Sequence, residues 1–137
     1  MYFMDIGREK LELKIDQFDK AVNRLGEAAT AENSEQNFEL DSTIQRFEFS
    51  VELAWKLMKL YLEQKGVATI ATPLDAVKEA YAAGLITDGD KWAEMLRARN
   101  VASHTYDQDN AFDLYSTIKS DYYKILANFA AKMASHE

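Results

Sequence analysis

The chain contains no cysteine, one proline, five glycines and two histidines in 137 residues. Without cysteine there can be no disulfide, no thiolate nucleophile and no thiolate-based zinc site. The histidines, His104 and His136, lie 32 positions apart and offer no spaced ligand pair, so no structural metal and no cofactor are expected. No stretch rich in Gly, Ser or Pro can serve as a flexible linker, and repeats are absent, so residues 1–137 are expected to form a single domain. A domain of this size buries roughly 68% of its unfolded surface. No window approaches the roughly 18 apolar residues of a membrane span, and the first residues lack a basic region followed by an apolar run. A soluble cytoplasmic protein that does not engage a membrane is expected. Basic residues are also few, 16 against 23 acidic, and a net charge of −7 opposes non-specific nucleic-acid binding. Any RNA contact must therefore be local.

What the chain does have is helical periodicity. From Arg8 to Ala29 the apolar residues Leu11, Ile15, Phe18, Val22 and Leu25 alternate spacings of four and three, the stripe of an amphipathic helix. Glu32 to Asn37 has no apolar member and reads as a polar connection. Ser42 is an expected N-cap with Gln45 completing a capping box, followed by a long helix whose inward face is Ile44, Phe47, Val51, Ala54, Trp55, Met58 and Leu62. Gly66 ends it. On that helix the aromatic run Phe47, Phe49 and Trp55 is expected in the core. Glu48, Glu52 and Lys56 form either a solvated face or the charged lining of a functional cleft. Thr72-Pro73 opens a short helix that stops at Gly84, and Thr87 or Asp88 caps the next, with Trp92, Met95 and Leu96 inward. A last helix begins near Asp107 or Asp109 along the seam Ala111, Leu114, Ile118, Tyr122, Ile125, Phe129 and Met133. Four long helical patterns, one short one and no strand alternation predict an all-α, up-and-down four-helix bundle with a short extra helix. His136, beside the C-terminus, is expected to be disordered and without a role.

The chemistry concentrates between Leu96 and Asp107, where the internal histidine stands with two arginines, an asparagine and a tyrosine. His104 supplies an acid or base near neutral pH, and Arg99 supplies a permanent cation able to hold a phosphate oxygen in a two-pronged contact. RNA carries its own nucleophile in the 2′-hydroxyl, so this pair suffices for cleavage without a metal. Asn100 can orient the ring or the phosphate. On an ideal helix Arg99 and His104 stand about 140° apart, whereas Arg97, Asn100 and His104 share one stripe and Arg99, Ser103 and Tyr106 a neighbouring one. For Arg99 and His104 to act together, the helix ends near Ala102, or Arg99 reaches around it, or a second subunit contributes; a two-fold homodimer is the favoured arrangement. Read without chemistry, the same residues are a helix C-terminus whose histidine satisfies last-turn carbonyls and whose arginines are solvated charges.

Arg99-Asn100-Val101-Ala102-Ser103-His104-Thr105-Tyr106 resembles the signature of HEPN-domain proteins of the HepT type: arginine, four residues, histidine, any residue, tyrosine. Asp41-Ser42, Arg46-Phe47-Glu48-Phe49, Glu52-Leu53-Ala54-Trp55-Lys56 and Ala83-Gly84-Leu85-Ile86 are similar to the nucleotidyltransferase substrate-binding group. The resemblance implies a nucleotidyltransferase substrate-binding-like helical bundle that dimerises and is encoded beside a minimal nucleotidyltransferase. On one view it is a metal-independent endoribonuclease toxin of a toxin–antitoxin pair. Arg99 and His104 then cut RNA with Asn100 in support, and the partner enzyme silences the toxin by attaching AMP to Tyr106. On the other it is the substrate-binding subunit of a two-component nucleotidyltransferase. Arg97, Ser103 and Glu48 are expected to support the site. An acidic bundle at −7 also suits docking on a basic enzyme surface.

Overall fold

A computed structural model describes residues 2–31, 38–67, 70–104 and 108–136, with side chains described for 6–31, 38–67, 70–102 and 110–136. Among the described residues, six α-helices and one π-helical turn follow in order: α1 (Tyr2–Thr30), α2 (Phe38–Gln64), α3 (Pro73–Ala82), α4 (Gly89–His104), α5 (Gln108–Thr117), the π turn Ile118–Tyr122, and α6 (Tyr123–Ala134). Because the backbone stays in the right-handed helical region at Thr117, Tyr122 and Tyr123, α5, the π turn and α6 form one unbroken rod. Counting that rod once, the molecule is the expected four-helix bundle, with α3 as the short extra helix.

The direction of each helix follows from contacts between distant residues. Gln64, at the end of α2, donates to the Gly7 carbonyl near the start of α1 at 3.0 Å, and Arg46 donates to the Arg24 carbonyl at 2.7 Å. The first two helices are therefore antiparallel. The α6 end of the rod also opposes α1: the Phe18 and Phe129 rings stand 5.5 Å apart, while His136 reaches Glu12. Helix α4 runs against the same rod, with Trp92 on Phe129 and Glu94 on Tyr122. Up, down, up, down is the result.

The predicted stripes bury. Leu11, Ile15, Phe18, Val22 and Leu25 close the core from α1, and Ile44, Phe47, Val51, Ala54, Met58 and Leu62 from α2. Trp92 is 1% exposed and meets Phe129 edge-on at 5.4 Å, so burial of two aromatic side chains ties α4 to α6. Each fully buried side chain of this size contributes about 1.5–3 kcal/mol relative to exposure. The turn chemistry also holds. Asp75 N–H donates to the Thr72 hydroxyl at 3.1 Å with Pro73 at the first helical position, and Gly66 and Gly84 take φ of +94° and +76°, where a side chain would be strained.

Five expectations are corrected. Helix α1 begins at Tyr2, six residues before the predicted Arg8. Helix α2 begins at Phe38, so Ser42 lies inside it and is no N-cap; Glu39 and Asp41 suit the positive end of the helix and Leu40 buries there. Phe49 is 60% exposed, since two residues from Phe47 it points to the opposite side of the helix, and Trp55 is only half-buried. In the last rod Tyr115 and Leu126 are buried while Leu114 and Ile125 are half-buried, so the inward seam runs through Ala111, Tyr115, Ile118, Tyr122, Leu126, Phe129 and Met133. His136 packs against the bundle, with Nδ1 2.7 Å from the Met133 carbonyl oxygen and its ring edge-on to Tyr61. The polar connection 32–37 and the Asp107 cap lie outside the described residues.

Candidate functional site

Helix α4 presents its chemistry on two sides because Arg97 and Arg99 are two residues, about 200°, apart. Arg99 turns toward α2. Its guanidinium donates to Glu52 Oε1 at 2.5 Å and, through the other terminal nitrogen, to Asn100 Oδ1 at 2.9 Å. Glu52 also accepts from the Trp55 indole N–H at 2.7 Å and lies 3.5 Å from the Lys56 ammonium. Burial alone pushes the Glu52 carboxyl up, but the Trp55 N–H and the charges of Arg99 and Lys56 outweigh it and hold the group below the ordinary carboxylate range. At neutral pH a half-buried carboxylate therefore fixes the guanidinium in place.

Arg97 faces the other way, toward a cavity of about 520 Å³ between α4 and the rod. Arg97, Ala98 and Val101 line it from α4, Asp113 and Leu114 from α5, and Tyr122 from the π turn. Arg97 is exposed and makes no ion pair among the described residues. Below it the Tyr122 hydroxyl donates to Glu94 at 2.5 Å, and Lys91 joins Glu94 to Asp121 at 3.8 and 2.9 Å. Burial, then the bond to Glu94, raises the Tyr122 phenol far above its usual range. The bond to Asp121 raises the Lys91 ammonium.

Of the residues singled out in the sequence, Arg99 and Asn100 meet, and Arg97 stands about 200° around the helix from Arg99. Glu48 is half-buried on α2, one turn before Glu52. Ser103 and His104 are placed by backbone alone in the last turn of α4, and Tyr106 lies outside the described residues. Since α4 runs through His104, an end near Ala102 is ruled out. Arg99 and His104 thus stand about 140° apart and about 7.5 Å along the axis, while Arg97 shares a stripe with His104. Glu52, which fixes Arg99, is legible in the sequence as one of the charges Glu48, Glu52 and Lys56, read there as a solvated face or a cleft lining, but its pairing with Arg99 is not. Neither Glu94 nor its bond to Tyr122 leaves a sequence signal.

The model for nucleotidyltransferase substrate binding protein like sequences matches residues 13–135, and the chain belongs to that family. A Haemophilus influenzae protein named probable ribonuclease HepT is 42% identical over 79 residues, a match spanning 55% of this chain and 54% of that relative. The chain thus matches about half the length of that relative. A Thermus thermophilus protein of solved crystal structure aligns over 85% of this chain and 95% of its own, with a TM-score of 0.70 and 27% identity. A Shewanella oneidensis HEPN toxin, solved tri-AMPylated and in complex with an MNT antitoxin, aligns over 92% of this chain and 97% of its own, with a TM-score of 0.75 and 18% identity. The bundle has the HEPN toxin fold. Among the described residues no helix is long and apolar enough to cross a membrane.

Proposed function

We propose that this chain is a HEPN-type endoribonuclease toxin that cuts RNA without a metal. The observation that carries the reading is the anchored Arg99: Glu52 and Asn100 hold its guanidinium on the helix whose last turn bears His104. In the reaction His104 takes the proton of the 2′-hydroxyl as it attacks the neighbouring phosphorus. The bond to the 5′-oxygen breaks, a proton returns to that oxygen, and a 2′,3′-cyclic phosphate remains. Arg99 stabilises the charge gathering on the phosphoryl oxygens, with Asn100 positioning the guanidinium. A two-fold homodimer brings two copies of the segment together and removes the obstacle of the 140° separation within one helix. The exposed apolar side chains Phe49, Val101 and Phe112 favour such a covering.

The partner in this reading is a minimal nucleotidyltransferase acting as antitoxin. It attaches AMP to Tyr106, adding bulk and negative charge to the segment that carries Arg99. The HepT relative and the HEPN–MNT complex support both halves of the proposal. The 520 Å³ cavity and the family description favour a second reading, the substrate-binding subunit of a two-component nucleotidyltransferase.

The test is incubation of the pure protein, its mass checked for prior modification, with mixed RNA in a chelator beside His104→Ala. Cleavage with cyclic-phosphate ends that vanishes in the variant is expected. Retained cleavage in the variant removes His104 from the mechanism, and no cleavage by unmodified protein favours the binding subunit.

A further inference from the structure

The cavity between α4 and the rod is not part of the Arg99 cluster, yet it lies on the stripe of α4 that leads to His104. Arg97 and Val101 line it, and His104 follows at seven and three residues, about 10.5 and 4.5 Å along the axis. That is the span of one nucleotide from phosphate to the far edge of its base. Its α4 and α5 walls carry three alanines, Ala98, Ala102 and Ala111, and small side chains leave flat apolar surfaces suited to a planar ring. Beside the polar side chains of Glu94, Asn110 and Thr117, two charged groups of opposite kinds stand on facing walls. Arg97 presents only donors from α4, and Asp113 presents an exposed carboxylate, acceptor only, from α5.

A second feature marks this wall as built. The π turn Ile118–Tyr122 interrupts the rod where it borders the cavity, and π turns inside α-helices concentrate at functional sites. Its Tyr122 ring stacks on Phe47 with centroids 5.5 Å apart, and its hydroxyl is fixed on Glu94, so that end of the cavity is rigid.

We infer that this cavity is the base subsite of the ribonuclease and selects guanine at the position flanking the cut. Arg97 donates in a two-pronged contact to the O6 and N7 acceptors, and the Asp113 carboxylate accepts from the N1–H and N2–H donors. Guanine alone of the four bases offers an acceptor pair and a donor pair in this way. The inference rests on the ribonuclease reading, but its test does not require cleavage.

The four nucleoside 3′-monophosphates and inorganic phosphate are titrated calorimetrically into the full chain and into Arg97→Met and Ala98→Leu, each checked for helicity by circular dichroism. The 3′-guanylate is expected to bind at least tenfold more tightly than the other nucleotides. Arg97→Met, at an exposed position that keeps the stem without the donors, should erase that preference, and Ala98→Leu should reduce nucleotide binding to the level of phosphate. Equal binding of all bases, or a guanine preference that survives Arg97→Met, overturns the subsite. RNA digestion in parallel separates the two ideas. A chain that shows the guanine preference but cuts nothing loses the ribonuclease reading and keeps the subsite. A chain that cuts RNA without the preference does the reverse.

Discussion

Two glutamates on opposite sides of α4's surroundings show how one residue type serves different ends. Glu52, on α2, gathers two cations and an indole N–H, and its carboxyl is held ionised below the ordinary range. Glu94, on α4, accepts from a buried phenol, and the effect appears on the partner, whose ionisation is pushed far up. In the first cluster the group held is the Arg99 guanidinium. The second joins α4 to the π turn. The difference lies in the nearest partner: Glu52 bonds a guanidinium and so fixes a charge, whereas Glu94 bonds a neutral phenol, with the Lys91 ammonium farther off at 3.8 Å, and so fixes packing.

The sharpest way to break the comparison is through the cation itself. Arg99→Ala is expected to slow RNA cleavage about 10²–10³-fold in single-turnover assays, the usual effect of removing one transition-state donor. Cleavage within a few-fold of the parent protein would return Arg99 to a purely structural role. Glu52→Gln keeps the shape and removes the charge, so Arg99 is held less firmly. Cleavage should fall about tenfold and stability by about 1 kcal/mol, a figure discounted because the carboxylate is a third exposed. Urea titration and the same assay check both.

The pH response separates the clusters further. Because the folded Glu52 carboxyl lies below its unfolded value, its contribution is present above the ordinary carboxylate range and is lost as pH falls through the lowered folded value. Urea midpoints measured from pH 7 downward should therefore decline less steeply in Glu52→Gln. At the other glutamate, Tyr122→Phe should cost about 1 kcal/mol of stability for the lost hydroxyl contact. The raised Tyr122 phenol contributes below the ordinary phenol range and loses that contribution as pH rises beyond it. Absorbance titration should show a late phenol that is missing from Tyr122→Phe; this is the smallest of the expected signals.

Much of this molecule is legible in its periodicity. The stripe Leu11 to Leu25 and the stops at Gly66 and Gly84 lie where the spacing puts them, because an apolar face every three or four residues has one way to bury and a glycine accepts the left-handed turn. The start of α2 is less legible. Ser42 carries an N-cap signal, but the burial of Leu40 and the acids of the first turn favour an earlier beginning, and local capping competes weakly with tertiary packing. The aromatic residues divide for a related reason. Phe47 reaches the core, Phe49 reaches solvent, and Trp55 lies between them to serve Glu52.

The site divides along the same line. Sequence alone assembled Arg99, Asn100 and His104 into one segment, because those residues are neighbours along the chain. Tertiary structure decided that Arg99 is held by Glu52, 47 positions away, and that Arg97 opens onto a cavity walled by α5 and the π turn. A motif fixes residue types and spacing along one helix. Which neighbour each face meets depends on how the other helices pack around it, and that is set by the summed burial of all of them.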